Sequence, residues 1–219
     1  STVNVKKLKE LDDVWENGTL DDFRRLYREL FEAANRGELP PAMQEEAYYT
    51  IASYLLSCMN RRGLTAGIAK AMDLDRLMRM DLHESWADID RYFEQVAVQL
   101  LDTREREREN RSMELIGRIH RYIEEHLDQE LSLSRLGEVV YLNASYLSRL
   151  YKQMTGTGLT EYITEYRIAQ AKRLLQDPKL KIQDIGSLVG FESPSYFGQV
   201  FKKRTDMTPQ EYRDAHGNG

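Results

Sequence analysis

The side chains of this chain that could do chemistry are hydrogen-bonding and cationic, and they recur at helical spacing. After Ser193-Pro194, the residues Pro194, Ser195, Gly198, Gln199, Lys202 and Lys203 fall on the outward side of a candidate helix. No acidic residue lies between Ser193 and Thr205. Some 50 residues earlier, Ala144, Ser145, Ser148, Arg149 and Lys152 fall on the outward side of another. Such faces recognise rather than react. A guanidinium such as Arg149 can reach guanine O6 and N7 together, a carboxamide such as Gln199 suits adenine, and lysines meet phosphates. Two plainer alternatives stand beside this: Arg149 as a phosphate contact only, and the whole stretch as a core hairpin that binds nothing.

Bond-making chemistry is not indicated. His120, Glu124 and His126 lie close in sequence, but about 600° of helical turn separates the two histidines, so they point to different faces. His83 and His216 are isolated, and Cys58 is the only cysteine. That leaves no disulfide within the chain and no Cys-rich zinc site. Paired histidines, a glycine-rich phosphate loop and a Ser/His/Asp grouping are all missing. The expectation is a non-enzyme without metal or cofactor.

The elements that must hold the outward residues are legible. Ile182, Ile185, Leu188 and Val189 share one face at helical spacing, and Gly190 can take positive φ to end that helix. Ser193 then caps the next helix with Pro194 at its first position. Tyr196, Phe197, Val200 and Phe201 are expected in the core, as are Tyr146, Leu147 and Leu150. A short helix, a tight turn and a basic-ended helix read as a helix-turn-helix. The pattern occurs twice. Leu136-Gly137 answers Ile185-Gly186, and Val140 answers Val189. After one extra residue in the second turn, Ser145-Tyr146 answers Ser195-Tyr196, Lys152 answers Lys202, and Glu161-Tyr162 answers Glu211-Tyr212. Between the copies, Ile163, Tyr166, Ile168, Ala171, Leu174 and Leu175 mark an amphipathic strut of about 25 Å, closed by Asp177-Pro178. Thr208-Pro209-Gln210-Glu211 is expected to cap a last helix, with Gly217 to Gly219 as a frayed tail.

The ordered motifs YIEEHL, LSL, ASYLSRLYK, EYRIAQAKRLL, IQDIGSLVGFESPSYF, VFKK and TPQEYR resemble the DNA-binding domain of the AraC/XylS regulators. The resemblance covers about Glu114 to Arg213. It implies a bacterial, cytoplasmic, sequence-specific transcription regulator whose two units enter adjacent major grooves of double-stranded DNA. It further implies activation through contact with RNA polymerase. Arg167 matches a family position and is expected to hold the two units together. Where Gln199 stands, relatives often carry arginine, and where Gly198 stands, a larger residue. Those departures weaken the second unit's claim to specificity.

Composition is compatible with this reading. The chain has 219 residues, 41% of them apolar, and a net charge of −5. Residues 1–111 hold 17 basic and 22 acidic groups, and residues 112–219 hold 14 of each. Local field matters more than the total for steering towards phosphates. No run reaches the length of a membrane span and no signal peptide opens the chain.

The expected class is all-α: a helical regulatory or linker region over residues 1–111, then a seven-helix DNA-binding domain over 112–219. Within the latter, helix-turn-helix units are expected over 133–155 and 182–205, joined by a helix over 160–176. Helices are expected from Val3 to Glu16, Leu20 to about Asn35, and Pro41 to Met59, then one or two short ones from Leu64 to Met80. Thr19 with Asp22 resembles a capping box. From Leu82, apolar residues at Trp86, Ile89, Phe93, Val96 and Leu100 alternate steps of four and three. That pattern suits a helix packed in its own bundle, or a homodimer seam within a helix over 82–109. Thr103 to Arg111 has no apolar residue and reads as a solvated connector or a hinge. Ser112 to Leu127 should supply the first helix of the DNA-binding domain. Residues 1–111 show none of the alternating strands of a β-barrel sensor and look like the helical segment that follows a receiver or membrane sensor. The abrupt start at Ser1 suggests a portion of a longer, signal-responsive protein, with a two-component system as one setting. The other class in play is a helical interaction module that binds a ligand or partner, with degenerate reading heads.

Overall fold

In a computed structural model, which describes residues 2–31 and 36–217, the chain parts into two compact units between Asn110 and Arg111. Among the described residues it is helical throughout, with eleven α-helices and no strand.

Unit 1 begins with α1 (Val5–Asn17), capped by the Asn4 side chain, which accepts from the amides of Lys6 and Lys7. Gly18 stops it by donating to the Val14 carbonyl at 2.8 Å. The Thr19/Asp22 capping box forms as the spacing predicts and starts α2 (Leu20–Glu29). This helix closes at Leu30 rather than near Asn35, and residues 32–35 of the expected extension lie outside the described residues. Then follow α3 (Pro41–Arg61), with proline at its first turn, and the short α4 (Thr65–Ala71). Two 3-10 turns, Leu74–Met78 and Met80–Leu82, take up the rest of the ambiguous stretch. The long α5 (Trp86–Glu125) comes next, and residues 103–111 are helical within it.

The apolar seam of α5 is the inside of unit 1. Ile89, Phe93, Val96 and Leu100 are buried there among Trp15, Tyr48, Ile51 and Leu55, and the half-buried Trp86 packs against them. Burial of one such side chain is worth about 1.5–3 kcal/mol. The homodimer seam through Trp86, Ile89, Phe93, Val96 and Leu100 is therefore corrected. A heptad pattern says which face is apolar, not which helix covers it. Leu82 is exposed and precedes the helix.

The charged stretch is not uniformly solvated either. The Arg104 side chain is 16% exposed. Its guanidinium donates to the carbonyls of Val14 at 3.0 Å, Trp15 at 3.2 Å and Gly18 at 2.9 Å. Arg108 donates to the Glu16 carbonyl at 2.6 Å. The last carbonyls of α1 have no partner within their own helix and carry its negative dipole end, so two arginines of α5 satisfy them.

Unit 2 takes the end of α5, then α6 (Leu133–Val140), α7 (Ala144–Thr155), α8 (Leu159–Leu175), α9 (Ile182–Leu188), α10 (Pro194–Thr205) and α11 (Pro209–His216). It has two cores. Leu136, Leu147, Tyr151, Leu159 and Ile163 belong to the first. Ile168, Ala171, Leu175, Ile185, Phe197 and Phe201 belong to the second. The strut α8 thus serves the first core with its N-terminal half and the second with its C-terminal half. Leu127 packs against both. Gly217 follows α11 with extended backbone, and the rest of the expected frayed tail, residues 218–219, lies outside the described residues.

Both tryptophans, Trp15 and Trp86, lie in unit 1, so indole fluorescence reports that unit alone. Arg104→Ala strips three carbonyls of a charged donor, which should cost about 1–3 kcal/mol. The urea midpoint read from tryptophan emission of the whole chain should fall accordingly, whereas far-ultraviolet signal from unit 2 should unfold as in wild type.

Candidate nucleic-acid interface

Each helix-turn-helix is closed by the same backbone contact. The Leu142 amide donates to the Gly137 carbonyl at 2.9 Å, and the Phe191 amide to the Gly186 carbonyl at 2.9 Å. Neither glycine could carry a side chain unchanged. A β-carbon on Gly137 would lie 2.4 Å from the Leu142 carbonyl oxygen, and one on Gly186 would lie 2.9 Å from the Phe197 ring. The turns reach positive φ differently. Gly190 does so at φ 96° as expected, whereas in the first unit Tyr141 takes the left-handed conformation at φ 59°. Tyrosine carries no signal for that geometry, so this turn is visible in sequence only through the repeat.

After each turn a polar side chain starts the recognition helix. Asn143 accepts from the Tyr146 amide at 2.7 Å before α7, and Ser193 from the Tyr196 amide at 3.1 Å before α10. The helices end alike. Gly156 and Asp206 are left-handed caps. The hydroxyls of Thr155 and Thr205 each donate back to the carbonyl four residues earlier, Tyr151 and Phe201, at 2.8 Å. Thr208 starts α11 by accepting from the Glu211 amide at 3.1 Å.

Of the residues singled out for recognition, Ser145, Arg149 and Lys152 on α7 are exposed, and Ala144 and Ser148 are half-buried. On α10, Pro194, Ser195, Gln199, Lys202 and Lys203 are exposed and Gly198 is half-buried. Each helix thus gathers its set on the side away from its buried residues, Leu147 and Tyr151 or Phe197 and Phe201. Among the described residues, Arg149, Lys152, Lys202 and Lys203 form no salt bridge, whereas the next cation, Arg204, is held by Glu161 and Glu165 of α8. Two residues expected in the apolar core, and one expected only on the apolar face of its helix, are corrected. Tyr146 is 46% exposed, Tyr196 54% and Leu188 52%. Each lies at the edge of its helix's apolar arc, where periodicity alone does not say whether a neighbour arrives.

Arg167 on α8 donates to the carbonyls of Leu127 at 3.3 Å and Gln129 at 3.1 Å. Arg167 and Gln129 line a cleft of about 400 Å³ with Gly190, Phe191 and Tyr196. Burial lowers the pKa of this guanidinium, and its Nε has no partner. Arg167 therefore ties the strut to the segment whose Leu127 serves both cores, a structural placement.

The histidines serve packing. His126 Nδ1 lies 2.9 Å from the Tyr122 carbonyl. His83 lies between the Tyr48 hydroxyl at 3.0 Å and the Arg76 carbonyl at 2.9 Å. His120 stacks on Tyr162 with ring centroids 4.3 Å apart, and its Nε2 is 2.8 Å from the Tyr151 hydroxyl. Tyr151 and Tyr162 correspond to Phe201 and Tyr212 in the second copy, where rings also meet, at 5.5 Å. The hydroxyl that Tyr151 has and Phe201 lacks needs a buried partner, and His120 supplies it. Burial pushes the Tyr151 phenol up to about 12.

A helix-turn-helix domain model matches residues 136–215. The chain is 35% identical over 132 residues to the arabinose operon regulatory protein of Escherichia coli, which is 56% of this chain and 45% of that protein. It is 37% identical over 92 residues to the melibiose operon regulatory protein of the same organism, 42% of this chain and 30% of that protein. It is also 38% identical to the C-terminal domain of the two-component response regulator yesN from Fusobacterium nucleatum, over 43% of this chain and 93% of that one, with a TM-score of 0.42. Residues 136–215 carry a helix-turn-helix domain of the AraC type, and the matched relatives are regulators of the AraC/XylS family. That family consists of transcription regulators, not enzymes. The chain spans less than half the length of the curated relatives it matches. No helix among the described residues is long and apolar enough to cross a membrane.

Burial lowers the pKa of His120 below its ordinary value near 6.5. The folded unit therefore favours neutral imidazole, and the unfolded chain binds the extra proton first. Stability is full above about pH 6.5 and falls as the pH drops from there towards the folded-state pKa. The thermal midpoint of unit 2, followed by circular dichroism, should drop between pH 7.5 and 5.5, and His120→Gln should flatten that drop.

Proposed function

We propose that this chain is a sequence-specific DNA-binding transcription regulator whose α7 and α10 enter adjacent major grooves. The observation that carries this reading is the duplication itself. Two helix-turn-helix units, closed by the same contact and capped in the same way, each present unpaired cations on the exposed side of the second helix. Residues 112–219 hold 14 basic and 14 acidic groups, so binding depends on this local arrangement rather than on bulk charge. Arg149 is assigned to base reading, as are Ser145 and Ser148 beside it. Lys152, Lys202 and Lys203 are assigned to phosphates, and Gln199 to a base in the second groove. Activation through RNA polymerase is part of the proposal and is supported by the family resemblance alone. Unit 1 would then be the regulatory part.

Binding of the whole chain to labelled duplexes should weaken steeply with added salt, because bound lysines and arginines release counterions. Arg149→Ala should flatten the preference among sequences, by about 1–3 kcal/mol at the position it reads. Lys203→Ala should weaken binding about equally on all duplexes and shallow the salt slope. Fluorescence anisotropy against a panel of duplexes at two salt concentrations measures both. Absence of any complex at the lower salt would favour a helical interaction module instead.

A further inference from the structure

The third residue of each recognition helix is tyrosine, and both copies leave it in water. Tyr146 is 46% exposed and Tyr196 54%, although the residue after each, Leu147 or Phe197, is fully buried. The buried and half-buried tyrosines of unit 1 use their hydroxyls internally. Tyr27 donates to Asp90 at 2.5 Å, Tyr54 to Asp12 at 2.6 Å, and Tyr92 to the Asp73 carbonyl at 2.6 Å. Among the described residues, the hydroxyls of Tyr146 and Tyr196 have no hydrogen-bond partner. The Tyr196 ring is nevertheless braced, edge-on to Phe191 with centroids 5.9 Å apart. A position that both halves of a diverged repeat fill with the same large, half-exposed phenol is not explained by packing.

Position on the helix indicates what the phenol meets. At about 100° per residue, Ser145, Arg149 and Lys152 lie opposite the buried ridge of Leu147 and Tyr151. Tyr146 falls between the two, on the same flank as Gln153. In α10, Tyr196 falls on the same flank as Lys203. When the outward ridge of a helix points at base edges, its flanks face the sugar-phosphate walls of the groove.

We propose that Tyr146 and Tyr196 are paired phosphate contacts, each donating its hydroxyl hydrogen to a backbone phosphate oxygen at the mouth of its groove. This rests on the DNA-binding reading and adds two positioning residues to it. A neutral donor of fixed reach sets the depth and rotation of the helix, so that Arg149 or Gln199 meets the base edge in register. Lys203, on the Tyr196 flank, supplies the charge that a phenol lacks.

The test uses the whole chain and Tyr146→Phe, Tyr196→Phe and the double variant, which remove one exposed oxygen each and leave the rings in place. Labelled 30-base-pair duplexes of mixed sequence are titrated at low and moderate salt. Each single variant should bind about tenfold more weakly and the double about a hundredfold, as expected for hydrogen bonds to a charged acceptor at independent sites. The loss should be equal on every duplex, with the salt slope unchanged because no cation is removed. Phenylalanine variants that bind as wild type overturn the proposal. So does a loss confined to particular sequences, which would make these tyrosines base readers. A wild-type chain that binds no duplex removes the DNA-binding reading itself, and that result is distinct from intact binding with silent variants.

Discussion

Everything about the reading surface depends on how closely two short helices can approach. In each helix-turn-helix the chain returns so tightly that an amide after the turn bonds to a glycine carbonyl before it, at 2.9 Å in both copies. The β-carbon space of that glycine is taken by the Leu142 carbonyl in one unit and by the Phe197 ring in the other. A side chain at Gly137 or Gly186 would push the recognition helix off its partner. The outward sides of α7 and α10 would then lose their fixed direction relative to the strut. The outward serines, arginine and lysines are useful only because a side chain is missing one helix earlier.

The strut converts two such heads into one object. Its halves belong to different cores, and its polar residues extend the connection outward. Glu161 and Glu165 hold Arg204 at the end of the second recognition helix. Arg213 of α11 donates to the carbonyls of Leu175, Asp177 and Leu180 just beyond the strut's other end. Charged groups here are spent on free helix-end carbonyls and on fixed carboxylates, which is where charge gains most against its cost of desolvation. Among the described residues, Arg149, Lys152, Lys202 and Lys203 on the recognition faces form no salt bridge, whereas their neighbour Arg204 does. Unit 1 shows the same economy, with Arg104 and Arg108 covering the end of α1.

The sequence by itself determined the helical class, the duplication, the caps at Thr19, Ser193 and Thr208, and the outward sets on both recognition helices. Each of these is a local matter: periodicity, a hydroxyl three residues before an amide, a glycine where the chain must bend. The tertiary structure decided what local pattern leaves open. The α5 seam is apolar in either setting, and only the presence of α1, α2 and α3 around it makes it core rather than a dimer face. The run from Thr103 to Arg111 looks solvated because it is charged, yet Arg104 lies against carbonyls about 90 positions away in the chain. Tyr146 and Tyr196 sit where an apolar arc ends, and whether a neighbour covers them is set by the path of other segments. His120 finds Tyr151 because Tyr151 replaces a phenylalanine of the repeat and its hydroxyl must be satisfied. The reason is common to all four. Spacing along a chain specifies which way a side chain points, but the partner that meets it comes from a distant segment placed by the fold.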